Sequence, residues 1–534
     1  MKTMKLKSSI LAIALLTVFM ANALAAAPSA VSKRQIFQTD FASGDALAGW
    51  NVSGPGSAKL ETRYQGGQSL AVEQPLAKGA GSTSATIALP VDKLRNARLG
   101  LRAMIKAEDV ASPPHPWNGV KFMLVVATPG GPQYPSRGDL AGTFDWRQVT
   151  FDATIPADAT SVTLVLGIEA TTGKAWFDDI HIDVKGRAFG APPVVSRAPL
   201  YNGHPGIPRL RGAMVNPDLT AEDTHVLATD WGANLIRYQI VTNDPKDGWD
   251  SHGWKSRATY DAWLEKRLAY LDKMLPVFRK EGLKIVVDLH SPDGGNYDRA
   301  DWPIFRDKAL QAHFLRVWDR IARRYRDSDV VWAYDLVNEP NDSEVGDGCL
   351  DWRDLATAAA KIVRKIDTRH AILVEPFGGQ VTALKYLDPI PVSNVIYSVH
   401  MYDPAPFTMQ GVSDGFPMDV HYPGLIGAAT WDKAKLAAEL DEVVEYQKRY
   451  HVAIYVGEFS AIRWAPAGEA RRYLSDLIDI FEKNGWDWSY HAFREWQGWS
   501  VEYGSDKDAT APETKPTDRL LLLKSWYVKN VKAK

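Results

Sequence analysis

The sequence predicts an α/β protein in two parts, an all-β sandwich or jelly roll followed by a (β/α)8 barrel. Three observations lead there. Residues 35–186 hold only short alternating runs, broken by Gly, Pro, Asn and Asp clusters. Residues 210–530 alternate eight buried-strand patterns with amphipathic helical ones. At 534 residues the chain is also too long for one ordinary core.

Residues 1–26 come first. Lys2, Lys5 and Lys7 precede the apolar run "ILAIALLTVFM", and "ANALAAAP" then supplies small residues of the A-x-A kind. This is the pattern of a secretory signal peptide cut around Ala25 to Ala27, and the apolar run is short for a membrane span. The mature protein is expected to be secreted or periplasmic, free of the membrane and monomeric. A formal charge of −2 with both signs interspersed speaks against a nucleic-acid partner. Nineteen Trp beside 20 Tyr suit flat, half-apolar ligands such as sugar rings. Cys349 is the only cysteine, so no intrachain disulfide can form and stability must come from the core.

The all-β part, 35–186, carries "ATIALPV", "VKFMLVVAT", "WRQVTFDATI" and "SVTLVLGIEA", and ends on "KAWFDDIHIDV", residues 174–184. That ending resembles those of jelly-roll carbohydrate-binding modules attached to polysaccharide-degrading enzymes. A packing module without a ligand is the competing expectation, since fold does not fix function. A proline-rich stretch at 187–209 reads as a stiff linker that can lie along the next domain.

The barrel strands are expected at 210–215, 234–240, 284–290, 330–337, 371–376, 394–400, 452–459 and 486–493. Helical faces between them include Leu264, Leu268, Leu271 and Leu275, then Leu474, Leu477, Ile478 and Phe481 before Gly485. In such a barrel the chemistry sits at the C-terminal strand ends. Those ends read Arg237, His290, Asn338 with Glu339, Glu375, His400 with Tyr402, Glu458 and Trp496. The fourth, "WAYDLVNEPNDS", runs an apolar strand up to Asn338 and Glu339, and Pro340 stops it. Asp288 and His290 lack the further ligands a metal would need, and no Gly-rich nucleotide turn or G-x-S-x-G elbow occurs. No cofactor or metal is expected.

With these residues in view, 205–530 resembles the family 5 glycoside hydrolases, the cellulase family. The resemblance rests on "DLH" (288–290), "NEP" (338–340), "HMY" (400–402) and "VGEF" (456–459), in order on the third, fourth, sixth and seventh strands. One departure is "LIRYQI", which lacks the more usual Pro after Arg-x. The resemblance implies that Glu339 is the general acid/base and Glu458 the nucleophile. Arg237, His290, Asn338, His400, Tyr402 and Trp496 would then line the substrate subsite next to the scissile bond.

The chemistry of the reaction supports those roles. Breaking a glycosidic bond with retention needs a proton for the leaving oxygen and a carboxylate roughly 5–5.5 Å away to trap the sugar. At that spacing two negative charges repel by about 3 kcal/mol, so only one ionises comfortably near neutral pH. Arg237 would keep Glu458 ionised and leave Glu339 as the proton donor. Glu375, a third strand-end carboxylate, is assigned to substrate contact or loop anchoring. The loop "HMYDPAPFTMQGV" and the segment "YPGLIGAATWDKAKL" resemble cellulase-like members, and Trp431, Trp464, Trp486, Trp488 and Trp499 are further stacking candidates. The expected partner is a polysaccharide or oligosaccharide, with a β-1,4 or mixed-linkage glucan first. Mannan, xyloglucan and β-1,3-glucan remain as alternatives, and a non-catalytic glycan-binding protein is the more distant one.

Overall fold

A computed structural model describes residues 35–42, 45–62, 64–190, 209–242, 245–250, 253–295, 302–466 and 468–532. The expected signal peptide, 1–26, and most of the expected linker, 191–208, lie outside the described residues.

Two antiparallel sheets form the N-terminal domain. One runs in the order Ser57–Thr62, Gln68–Gln74, Gly173–Arg187, Ala97–Val110, Gly142–Ile155, with Gln35–Thr39 also paired to Gly173–Arg187. The other runs Asn51–Ser53, Gly81–Leu89, Ser161–Thr171, Gly119–Ala127. Strand alternation sends Leu99, Leu101 and Ile105 from the first sheet against Leu124, Leu164 and Leu166 from the second. Phe122 and Phe151 meet edge to face across the gap at 5.0 Å. This is the β-sandwich the sequence predicts.

The opposite face of strand Ala97–Val110 departs from the usual polar-out pattern. Positions 98, 100, 102, 104 and 106 are half-buried rather than exposed, because part of this face lies against the second domain. Arg98 and Arg102 pair there with Asp342 and Asp347.

That domain is a closed parallel barrel of eight strands: Arg211–Val215, Leu235–Gln239, Lys284–Asp288, Val331–Asp335, Ala371–Val374, Val395–Met401, Ala453–Phe459 and Asp487–Phe493. All eight fall where the sequence places them, some ending one or two residues earlier. Five of the barrel helices start on side-chain caps the sequence supplies: Ser256, Asp307, Asp351, Asp432 and Thr517 each accept a backbone N–H of the first turn. Glu469–Asn484 ends at Gly485 in the left-handed conformation. Inside the barrel, Leu235, Val286, Trp332, Leu373 and Tyr455 form an apolar plug, with Trp332 and Tyr455 edge to face at 5.6 Å.

The unit after the fifth strand differs from the repeating pattern. In place of a full helix it has a short 3-10 segment, Val381–Tyr386. The sandwich packs into this thinner part of the wall. A Cβ on Gly186 would lie 1.8 Å from the Tyr386 carbonyl oxygen, so only glycine permits the approach. The described start of the linker continues along the barrel, with Phe189 N–H donating to the Lys385 carbonyl at 2.8 Å and Tyr450 Oη donating to the Gly190 carbonyl at 2.5 Å.

Candidate active site at the mouth of the barrel

Arg237 organises the site. It is fully buried on the second strand, and its guanidinium faces Asp288 at 3.2 Å, Asp335 at 3.0 Å, Glu375 at 3.0 Å and Glu458 at 2.6 Å. It also donates to Asn338 Oδ1 at 3.0 Å. Four carboxylates around one cation cannot all be charged at equal ease. Burial, and then the Glu375 charge, push Asp335 well above the usual carboxylate range despite Arg237.

Glu339 and Asn338 follow the fourth strand. Glu339 has φ 45, a left-handed conformation that a non-glycine residue holds only under constraint. Its N–H donates to Glu375 Oε2 at 2.7 Å, which fixes the turn. Glu375 is therefore an anchor of the Glu339 loop. The Glu339 carboxylate meets His400 Nδ1 at 2.8 Å, and His400 Nε2 lies 3.2 Å from Glu375. Burial would favour neutral His400, but the charges of Glu375 and Glu458 outweigh it and raise the imidazole well above its ordinary value. His400 sits between the carboxylates of Glu339, Glu375 and Glu458.

Glu458 is aimed inward by an irregularity in its strand. Val399 pairs with Val456, but the next residue, His400, pairs with Glu458, so Gly457 is extra. A Cβ on Gly457 would stand 2.9 Å from His400 Nε2, so the "VGEF" glycine makes room for that ring. Tyr402 Oη donates to Glu458 Oε2 at 2.8 Å. Burial alone would raise the Glu458 carboxyl; the charges of His400 and His491, with Arg237 behind them, hold it well below the usual range. The sequence assigns that task to Arg237, which is shared among four acids, and the two histidines add to it.

His491 is a site residue that the sequence reading missed. From the eighth strand its Nδ1 approaches Glu458 Oε2 at 3.2 Å and bonds Tyr402 Oη, while its Nε2 meets Glu495 Oε2 at 2.7 Å. Burial would lower its pKa, but Glu458 and Glu495 together raise it from 6.5 to about 10. A raised histidine stabilises the fold fully below its unfolded value and loses that contribution as pH climbs through the folded one. Melting temperature should therefore decline between pH 6.5 and about 10, and decline less steeply in His491→Gln. Parallel curves for the two proteins would mean that His491 is neutral in the fold.

The remaining expectations divide. Arg237, Asn338, Glu339, His400, Tyr402 and Glu458 converge within one connected network. His290 stands at the rim beside Asp288, Nδ1 to Oδ2 2.9 Å. Trp496 lies in the loop beyond the eighth strand, which ends at Phe493, and is 39% exposed and edge-on to Trp464 and Trp499. Trp499 is the ring that packs on Tyr402, at 5.8 Å. Trp486 and Trp488 are fully buried in the core and cannot stack on a sugar. Beside Glu339 opens a cavity of 480 Å³, walled by Trp302, Asn341, Phe377 and Thr382 among others. Neither Trp302 nor Phe377 was singled out by sequence, since each lies in a segment without periodic pattern.

A (β/α)8 barrel whose strand ends converge two carboxylates, two histidines, a tyrosine and a shared arginine beside an open cleft is built as a glycosidase. The chain belongs to the cellulase family, glycosyl hydrolase family 5, whose sequence model matches residues 199–496. Cellodextrinase A of Ruminococcus flavefaciens is 26% identical over 279 residues, which is 50% of this chain and 76% of that protein. Endoglucanase C of Acetivibrio thermocellus is 24% identical over 260 residues, 43% of this chain and 74% of its own. Among solved structures, the endoglucanase Cel5A of Thermotoga maritima aligns with 59% of this chain and 96% of itself, at 24% identity and a TM-score of 0.46.

Proposed function

We propose that the protein is a secreted, retaining hydrolase of a β-linked glucan, with β-1,4 or mixed linkage favoured, that works by double displacement. Glu458 is the nucleophile and Glu339 the acid/base. The observation that carries this reading is the approach of the two side chains: a carboxylate oxygen of each lies, with a His400 ring nitrogen, within 4.8 Å of the others. That is well short of the roughly 6.5–9.5 Å at which a water fits between the carboxyls of an inverting enzyme.

In the first step Glu339 gives its proton to the leaving oxygen as Glu458 bonds to the sugar. In the second, Glu339 takes a proton from water, whose oxygen displaces Glu458. Tyr402 and His491 hold the Glu458 carboxylate in line. Asn338 turns its oxygen to Arg237, which leaves its N–H groups for the sugar 2-OH. Trp496, Trp464 and Trp302 are the flat side chains for sugar rings around the cleft. On the sandwich, Trp117 and Tyr134 are exposed and would serve if that domain holds glycan. The names of the cellodextrinase and endoglucanase relatives favour glucan, and the basic-then-apolar leader favours export.

The test is reducing-end release from mixed-linkage glucan, carboxymethylcellulose, laminarin, glucomannan and xyloglucan. Turnover on mixed-linkage glucan or carboxymethylcellulose should fall about 100- to 10,000-fold in Glu339→Gln. Cleavage of glucomannan, xyloglucan or laminarin alone would move the substrate within the same chemistry. Silence on all five from folded protein would favour a barrel that binds glycan without cutting it.

A further inference from the structure

We propose that the N-terminal sandwich is a built-in buttress of the leaving-group side of the active-site cleft, acting through Arg98 on Phe377 and Asp342. The inference rests on the hydrolase reading above and adds a role for residues outside the barrel.

The argument starts from the cleft. Its cavity runs from Tyr402 and His400, beside Glu458, past Glu339 to Asn341 and Phe377. An acid that protonates the departing oxygen faces the departing sugar, so the end of the cavity beyond Glu339 is where the leaving group sits. Phe377 forms part of its wall. Behind Phe377 lies a sandwich residue: the Arg98 guanidinium carbon is 4.2 Å from the ring centroid, a cation–π stack. The same guanidinium holds Asp342 Oδ1 at 3.0 Å and Asp152 Oδ2 at 2.5 Å. Asp342 stands three residues after Glu339 and next to Asn341, a second wall residue.

The contact is built rather than incidental. Asp342 is buried, its Oδ2 accepts the Trp352 N–H at 3.1 Å, and its carbonyl oxygen accepts Lys185 of the sandwich. Lys185 also reaches Asp152 at 2.9 Å, so two cations and two acids alternate across the junction. Burial alone would raise the Asp342 carboxyl; Lys185 and Arg98 overcome it and bring it down to about 2. The chain then continues to Trp352, whose indole N–H donates to the Glu375 carbonyl at 2.8 Å. Glu375 is the side chain that fixes the Glu339 turn. The sandwich thus grips the Glu339 loop and the Phe377 wall at once, while Gly186 seats it against the short 3-10 segment that carries Thr382.

The experiment compares full-length wild type, Arg98→Met and Arg98→Lys on two substrates: cellotetraose, whose departing sugars fill the cavity, and dinitrophenyl cellobioside, whose small, activated leaving group needs little of it. In Arg98→Met, KM for cellotetraose should rise about tenfold with kcat for the aryl substrate within twofold. Arg98→Lys keeps the charge at Asp342 but loses the planar stack on Phe377, so its KM should fall between the two. Equal losses on both substrates, or no loss on either, would overturn the buttress. A wild type that cuts neither substrate would instead overturn the glucan reading and the buttress with it; the wild-type lane alone tells the two failures apart.

Discussion

Glu458→Gln is expected to remain folded and to lose turnover by on the order of 10⁵-fold, the scale on which a hydrolase loses activity when its covalent nucleophile is removed. The glutamine keeps the volume and can still accept from Tyr402, so the melting transition should survive. What disappears is the carboxylate that bonds to the sugar. In a companion Glu458→Ala variant, which does vacate that space, azide should restore cleavage of an activated aryl glycoside and leave an α-configured glycosyl azide. Hydrolysis undiminished in Glu458→Gln would remove Glu458 from the mechanism, and a β-configured azide would make Glu458 the acid/base, because net retention means that another carboxylate still forms the glycosyl-enzyme.

The second large effect belongs to stability. Arg237→Leu takes the one guanidinium from among four buried carboxylates, and removing one partner of a buried charge pair costs about 3–5 kcal/mol. A fall in melting temperature of about 10 °C is expected, read by circular dichroism. The deficit should shrink as pH is lowered, because protonating the stranded acids removes their repulsion. A variant that melts with wild type at every pH would mean that the acids are already neutral around Arg237.

Much of this site was legible because its parts lie at strand ends. Eight apolar runs at barrel spacing placed Arg237, Glu339, His400 and Glu458 on one rim before any contact was known. His491 was missed for a physical reason. It lies within the strand, Asp487–Phe493, and a single histidine in an apolar run gives no sign of which face it takes. Only the closed barrel shows it turned toward Glu458. The bulge at Gly457 is likewise invisible in sequence, since register depends on the neighbouring strand.

The grip between the domains was hidden for another reason. Arg98 and Asp342 are 244 positions apart, and each alone reads as an ordinary surface charge. An arginine on the outward face of a sandwich strand predicts solvent. Here the half-buried positions around it were the sign that something covers that face.

Gly186, tight against the Tyr386 carbonyl, has a consequence for how such a protein can be re-engineered or recombined. Polysaccharide-degrading enzymes are often treated as strings of exchangeable cassettes. A foreign β-domain spliced in front of this barrel would bring a side chain where backbone meets backbone, and would lack the basic pair that meets Asp342. The graft would swing free, and the catalytic domain would carry a raw face it never exposes. For this chain, the useful unit of transplantation is the pair.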